Sequence, residues 1–214
     1  RLFGISDKIM FEARADGGAV VADENGLLHL LDGSGRITAI QELGRHIGAT
    51  LQLRDGRVLV ISAQGPRFDQ LRFSRLLPDL QLDASFGSGG EAILPLGNLL
   101  APRTNVSAGV FAAALSADET EVLVALGMTA DSDAYRCNGV ARFRLGPPFG
   151  LDASFGKDGF SCLTHRYSDL PGHALLRQPD GGLLYSVLVG SAWPEFTLRL
   201  FTNEHFKPDS MRKV

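Results

Sequence analysis

The chain has 214 residues, 44% of them hydrophobic, and a formal net charge of −3. That is enough apolar material for a core and an ordinary length for one all-β domain, 1–214. The weak negative charge excludes the basic face of a nucleic-acid backbone binder, and no apolar run approaches the roughly 18 residues of a membrane-spanning helix.

Taken in chain order, the sequence divides into four similar stretches, roughly 8–43, 47–96, 106–164 and 170–214. Ahead of them, Leu2-Phe3-Gly4 reads as the tail of an earlier repeat, so a processed precursor or a fragment of a larger repeat protein is a live expectation. In the first stretch a turn at Asp16-Gly17 precedes the run Ala19-Val20-Val21, and a further apolar run follows at Leu27–Leu31. The second repeats this with Asp55-Gly56, Arg57–Ile61 and Leu71–Leu76. The third has Asp118-Glu119 at its turn, then Glu121–Leu126 and Val140–Leu145. The fourth has Asp180-Gly181, Leu183–Val189 and Phe196–Leu200. Short runs rich in β-branched and aromatic residues, bounded by turn residues, predict strands rather than helices. An Asp-Gly pair between two strands supplies the positive φ angles of a tight hairpin.

The repeat is plainest where the peptide Leu82-Asp83-Ala84-Ser85-Phe86-Gly87 returns letter for letter as Leu151-Asp152-Ala153-Ser154-Phe155-Gly156, each followed three residues on by a glycine, Gly90 or Gly159. A fixed period of this kind marks a stack of similar units. The expected fold is all-β, a β-propeller of about four repeats of four-stranded antiparallel sheets, either closed or part of a larger propeller. Within the hexapeptide, Asp83 and Asp152 are expected to accept a bond from the amide two residues on, with Ser85 and Ser154 in the same turn. Phe86 and Phe155 are expected to wedge between sheets, and Gly87 and Gly156 to close the turn. All eight are read as structural, because no ladder of acidic residues accompanies them to hold a cation.

The hexapeptides and the turns at Asp55-Gly56 and Asp180-Gly181 resemble the delta-60 repeat family of bacterial proteins, whose units carry an Asp-Gly turn before an apolar strand and close on a Leu-Asp-x-Ser-Phe-Gly-like segment. The chain departs from that pattern at Asp118-Glu119-Thr120, at Asp32-Gly33-Ser34-Gly35 and at Phe206–Met211. The resemblance implies a propeller, commonly exported, in a family without a single known activity, and carries over no catalytic residue.

Cys137 stands before the third strand of the third repeat and Cys162 just after its hexapeptide. Adjacent strands bring them within reach, so a disulfide is expected, with two buried thiols as the alternative. A bridge would go with export to the periplasm, the cell surface or the medium.

The remaining candidates are sparse. His165, Asp169 and His173 have helical metal-ligand spacing, but Pro171-Gly172 breaks any such helix, so no metal and no cofactor are expected. Asp131-Ser132-Asp133 opens like a calcium loop, yet Tyr135 and Arg136 stand where an oxygen ligand and a glycine belong. Lys157 beside Gly156 does not make a phosphate loop, and Asn105-Val106-Ser107 is only a sequon. Trp193, between Ala192 and Pro194, reads either as a partner anchor or as the cover of one blade.

Trp193, Asp131, Asp133 and His173 are the candidate binding residues. Asp69, Asp131, Asp133 and His173 are the candidates if acidic groups from different blades converge in an enzyme site. The favoured reading is a non-enzymatic binding or scaffolding module with a protein or glycan partner, open to association with further propeller repeats. The alternatives are an enzyme domain or subunit of hydrolase type and a structural fragment of a larger repeat protein.

Overall fold

The computed structural model describes residues 9–97, 99, 104–131, 135–164, 170–178, 182–189 and 197–201. Among them every regular element is a strand, and no helix is long and apolar enough to cross a membrane. The fold is all-β, a succession of antiparallel sheets of the propeller-blade kind, none closed into a barrel. Two compact units emerge, the first from Arg1–Gly65 with Gln70–Leu94, the second from Pro66–Asp69 with Pro95–Val214.

In the first unit, β1 (Ile9–Ala13), β2 (Ala19–Asp23), β3 (Leu27–Leu31) and β4 (Ile37–Glu42) pair in sequence order, and so do β5 (Ala49–Gln52), β6 (Val58–Gln64), β7 (Gln70–Leu76) and β8 (Glu91–Pro95). Strand alternation sends Met10, Val20, Ala22 and Leu28 of the first sheet into one core with Val58, Val60 and Leu76 of the second, closed by Ile47 and Leu80. Burying each such side chain contributes about 1.5–3 kcal/mol. β6 is buried on both faces, which is why its sequence is a continuous apolar run rather than an alternating one.

In the second unit, β9 (Ser107–Leu115), β10 (Glu121–Ala130), β11 (Tyr135–Arg144) and β12 (Gly150–Leu151) form one sheet, and β13 (Phe160–Thr164) also pairs with β11. A further sheet is described by β14 (Leu170–Arg177), β15 (Leu183–Val189) and β16 (Thr197–Phe201). The shared core holds Ala112, Ala114, Leu123, Ala125 and Val140 against Leu175, Leu183 and Tyr185, with Phe155 inserted among them. Small side chains on β9 let the facing strand approach closely.

Two details differ from the sequence reading. Strands β10 and β11 are ten residues each, so Cys137 lies within the third strand and not before it. It is bridged to Cys162 on β13, with the Cα atoms 5.8 Å apart. The hairpin turns take positive φ only at their third residue, Gly17 (82°) and Gly56 (87°), with Glu119 (58°) in the place of glycine. The aspartate before each stays at negative φ and ties its carboxylate to the chain two residues on, to the amides of Gly18, Arg57 and Thr120. The first two are three-residue turns closed by a left-handed glycine, for which one glycine suffices, and the third has one residue more, with Glu119 in the left-handed place. The Asp180-Gly181 turn lies outside the described residues.

Candidate functional site

Each hexapeptide interrupts the fourth strand of its sheet. Leu82 pairs with Leu76, the chain loops out through Asp83–Gly90, and β8 then resumes along β7. Leu151 pairs with Phe143 in the same way before β13 takes over beside β11. A single third-strand arginine brackets each loop. The Asp83 amide donates to the Arg75 carbonyl and the Arg75 amide to Gly90, just as Asp152 donates to Arg142 and Arg142 to Gly159.

The side chains complete a latch. Asp83 Oδ1 accepts the amide and hydroxyl of Ser85 at 3.0 and 2.6 Å, while Oδ2 accepts Arg75 Nε at 2.7 Å and Arg57 Nη1 at 2.9 Å. Arg75 also donates to Ser85 Oγ and lies 4.8 Å over the Phe86 ring. In the second copy Asp152 Oδ1 takes the Ser154 amide and hydroxyl, Oδ2 lies 2.6 Å from Arg142 Nη2, and the guanidinium sits 5.1 Å over Phe155.

The Ser85 hydroxyl, with help from both arginines, holds the Asp83 carboxyl well below the usual range despite its burial. Burial pushes Asp152 up, but the Ser154 bonds and Arg142 outweigh it and the carboxyl ends low. With their oxygens engaged in this way, these carboxylates are turn locks, poorly placed to act as ligands or general bases.

A different kind of cluster forms in the second unit from the loop 66–69, the entry to β9 and the end of β10. The Phe68 carbonyl accepts the Ala108 amide and the Asp69 carbonyl the Leu96 amide, both at 2.9 Å. Arg67 Nη1 donates to Asn105 Oδ1. The Asp131 amide donates to the Thr104 carbonyl, and Asp131 Oδ1 accepts the Thr104 amide at 2.9 Å and its hydroxyl at 3.2 Å. Ser107 and Thr129 join hydroxyls at 2.6 Å beneath.

Three of the six described non-glycine residues with positive φ sit here, Phe68 (55°), Asn105 (52°) and Asp131 (54°). Asn and Asp adopt this left-handed region at modest cost, whereas for a bulky Phe it is an outlier. Phe68 is nonetheless 53% exposed. Asp69 Oδ1, in contrast, is buried without a hydrogen-bond partner.

Of the sequence candidates, Asp131 is in this cluster with a carboxylate oxygen occupied by Thr104, and Asp69 is beside it. His173 lies on β14, and Trp193 and Asp133, like His165 and Asp169, lie outside the described residues. Sequence reasoning passed over Phe68 and Arg67 altogether and took Asn105 only as a sequon. Gly65-Pro66 marks a loop ahead of them, but nothing in the letters announces a left-handed Phe. Among the described residues no group of three His, Cys, Asp or Glu side chains could share a metal ion. The loop that carries the exposed Phe68 is thus tied by hydrogen bonds to Leu96, Asn105 and Ala108.

No protein-family model matches the chain, and no curated protein matches it. Solved structures share an all-β likeness at low identity. A protein from Lactobacillus plantarum is 13% identical, with a TM-score of 0.47 over 90% of this chain and 54% of its own, so the chain spans about half its length. The endo-arabinase from Bacteroides thetaiotaomicron is 15% identical, with a TM-score of 0.45 over 90% of this chain and 72% of the enzyme. PorZ, a bacterial surface component of the type-IX secretion system of Porphyromonas gingivalis, is 15% identical, with a TM-score of 0.30 over 92% of this chain and 32% of its own.

Proposed function

We propose that this chain is a non-enzymatic binding or scaffolding module of an exported bacterial protein, presenting its loops to a protein or glycan partner. The observation that carries the reading is the pinned loop cluster around Phe68. An exposed aromatic on a loop tied by hydrogen bonds to Leu96, Asn105 and Ala108 supports a contact surface there.

Membership in the delta-60 repeat family is part of the proposal, supported by two hexapeptides locked by the same arginine latch. So are the reading of 1–214 as one propeller-like domain and the export, the latter supported by the Cys137–Cys162 bridge. Trp193, Asp133 and His173 remain candidate contacts from the sequence.

The test is capture. Immobilised protein is exposed to a bacterial envelope extract, and its bound proteins and sugars are compared with those of an Arg67→Ala/Phe68→Ala variant whose thermal unfolding is measured in parallel. A component retained by the wild type and lost by a folded variant supports the reading. Identical retention by both would move the contact surface elsewhere.

A further inference from the structure

The geometry points to a head-to-tail contact between two copies of this chain, in which sheet β14–β16 of one lies on sheet β1–β4 of the other and Leu176 meets Phe11. Register makes the sheets comparable residue by residue. The bonds that close their first hairpins run from the amides of Arg14, Leu53 and Gln178 to the carbonyls of Gly18, Arg57 and Gly182. Phe11, Thr50 and Leu175 therefore hold equivalent places, and Leu176 holds the place of Glu12.

Inside each unit the earlier sheet covers the later one at these places. In the first unit Thr50 is 5% exposed and donates its hydroxyl to Glu12 at 3.1 Å. In the second unit Leu175 shares a core with Ala114, which stands two residues before the Ser116–Glu121 bond as Glu12 stands two before the Arg14–Gly18 bond. One face of a sheet thus receives at the Thr50 place, and the opposite face of the sheet before it offers at the Glu12 place.

On β1–β4 the receiving face is apolar and open. Cross-strand pairing lines up Phe11, Val21, His29 and Ile40 in one row and Ala13, Ala19, Leu31 and Ile37 in the next, with Ile9 opposite Asp23. Val21 and His29 are buried in mid-sheet, but Phe11 is 64% exposed, Ile40 59% and Ile9 56%. Val60, which holds the Val21 place in the second sheet, is fully buried in the core shared with the first. A contiguous exposed row of this kind marks a protein interface.

The matching half is on the last sheet. Leu176 pairs with Leu184 on the face opposite Leu175 and Tyr185, and it is 60% exposed. One chain therefore carries both sides of the same contact, with an aromatic at the receiving place and a leucine at the offering place. Two copies satisfy each other by repeating between chains the packing that each already uses within its units. Because the two faces differ, the contact is heterologous, closing on itself or continuing to further copies.

Sedimentation velocity of the full chain over about 1–100 μM reads association, and thermal unfolding reads the fold. The expected result is a species of two or more chain masses that dissociates on dilution. Leu176→Glu, which sets a carboxylate against the Phe11 ring, should weaken it tenfold or more. Adding Phe11→Thr should then recover about threefold or more, because the double variant rebuilds the Glu12–Thr50 pair between copies.

A single chain mass for the wild type throughout the range would overturn the contact. So would a Leu176→Glu variant that associates like the wild type, or a double variant no tighter than Leu176→Glu alone. Both positions are exposed in the single chain, so melting temperatures within about 2 °C of the wild type are expected. Should Leu176→Glu melt more than about 5 °C lower, Ile40→Glu reads the same contact from the receiving face, with the same tenfold loss expected and unchanged association overturning it.

Discussion

Asp83 is a carboxylate with 7% of its side chain exposed, which folding can tolerate only because two guanidiniums and a hydroxyl replace its water. Arg75 is the deeper of the two, with 15% exposure, and it also covers Phe86. Arg75→Ala is therefore expected to cost about 2 kcal/mol in urea unfolding, by leaving a buried charge half paired.

The second copy supplies an internal control. Strand register makes Arg57 the counterpart of Glu121, since Val58 pairs with Leu76 where Val122 pairs with Phe143. One latch thus has two cations around one carboxylate. The other has Arg142 between Asp152 and Glu121, whose Oε1 lies 3.8 Å from it. Arg57→Glu would convert the first arrangement into the second, but it takes one of its two cations from the buried Asp83 and sets a carboxylate beside it and Asp55, so its expected cost in urea unfolding is about 2 kcal/mol or more, no less than that of Arg75→Ala. A loss well below that of Arg75→Ala would mean that Arg57 does not share in pairing Asp83.

The same carboxylate sets an acid dependence. Its folded value lies below the unfolded value of about 3.9, so the unfolded chain binds more protons near that pH. The contribution is complete above pH ~5 and is lost as the pH falls through ~4 and below. Asp83→Asn should flatten the stability profile of the wild type between pH 5 and 2.5, measured by urea unfolding at each pH. An unchanged slope would remove Asp83 from the acid response.

At the scale of the element, the hexapeptide loop is closed by contacts that tolerate no side chain. A Cβ on Gly87 would stand 2.0 Å from the Glu91 carbonyl oxygen, and one on Gly156 would stand 2.5 Å from that of Phe160, both at φ 55°. Gly35 has a positive φ as well, 80°, but open space around it. Gly35→Ala should therefore cost about 1 kcal/mol for the backbone alone, and Gly87→Ala 3 kcal/mol or more, because the loop must also shift against its strand. Comparable melting temperatures for the two variants would contradict the close approach.

Much of this element level was legible. The turn aspartates, the apolar second strands and the duplicated peptide each have a local physical cause that writes itself into the sequence. The splitting of the fourth strand was not legible, because Leu82 and Gly150-Leu151 are too short to show any periodicity. The full length of β10 and β11 was hidden too, since Gly127, Thr129, Arg136 and Asn138 interrupt the apolar pattern that marks a strand.

Across the whole molecule, what the letters conceal is convergence. Phe68, Asn105 and Asp131 come from three separate connections, and hydrogen bonds among those connections bring them together. The cysteine pair is the opposite case, because the two-strand separation between Cys137 and Cys162 follows directly from the repeat.

Its consequence for stability can be worked out. The bridge closes a span of 25 residues, which in the chain-entropy treatment is worth about 3 to 4 kcal/mol. It ties β11 to β13, the strand that resumes after the hexapeptide loop, so opening it frees the loop's far end from the sheet. For a chain of this size about 1 kcal/mol corresponds to 2–4 °C, so a reducing agent, or Cys137→Ser with Cys162→Ser, should lower the melting temperature by roughly 10 °C.

The same loss should appear as easier proteolysis near Ser161–Thr164 before any cleavage in the first unit, which contains no cysteine. If reduced and oxidised protein melt together, the bridge stabilises nothing, and the physical argument linking this fold to an oxidising compartment goes with it.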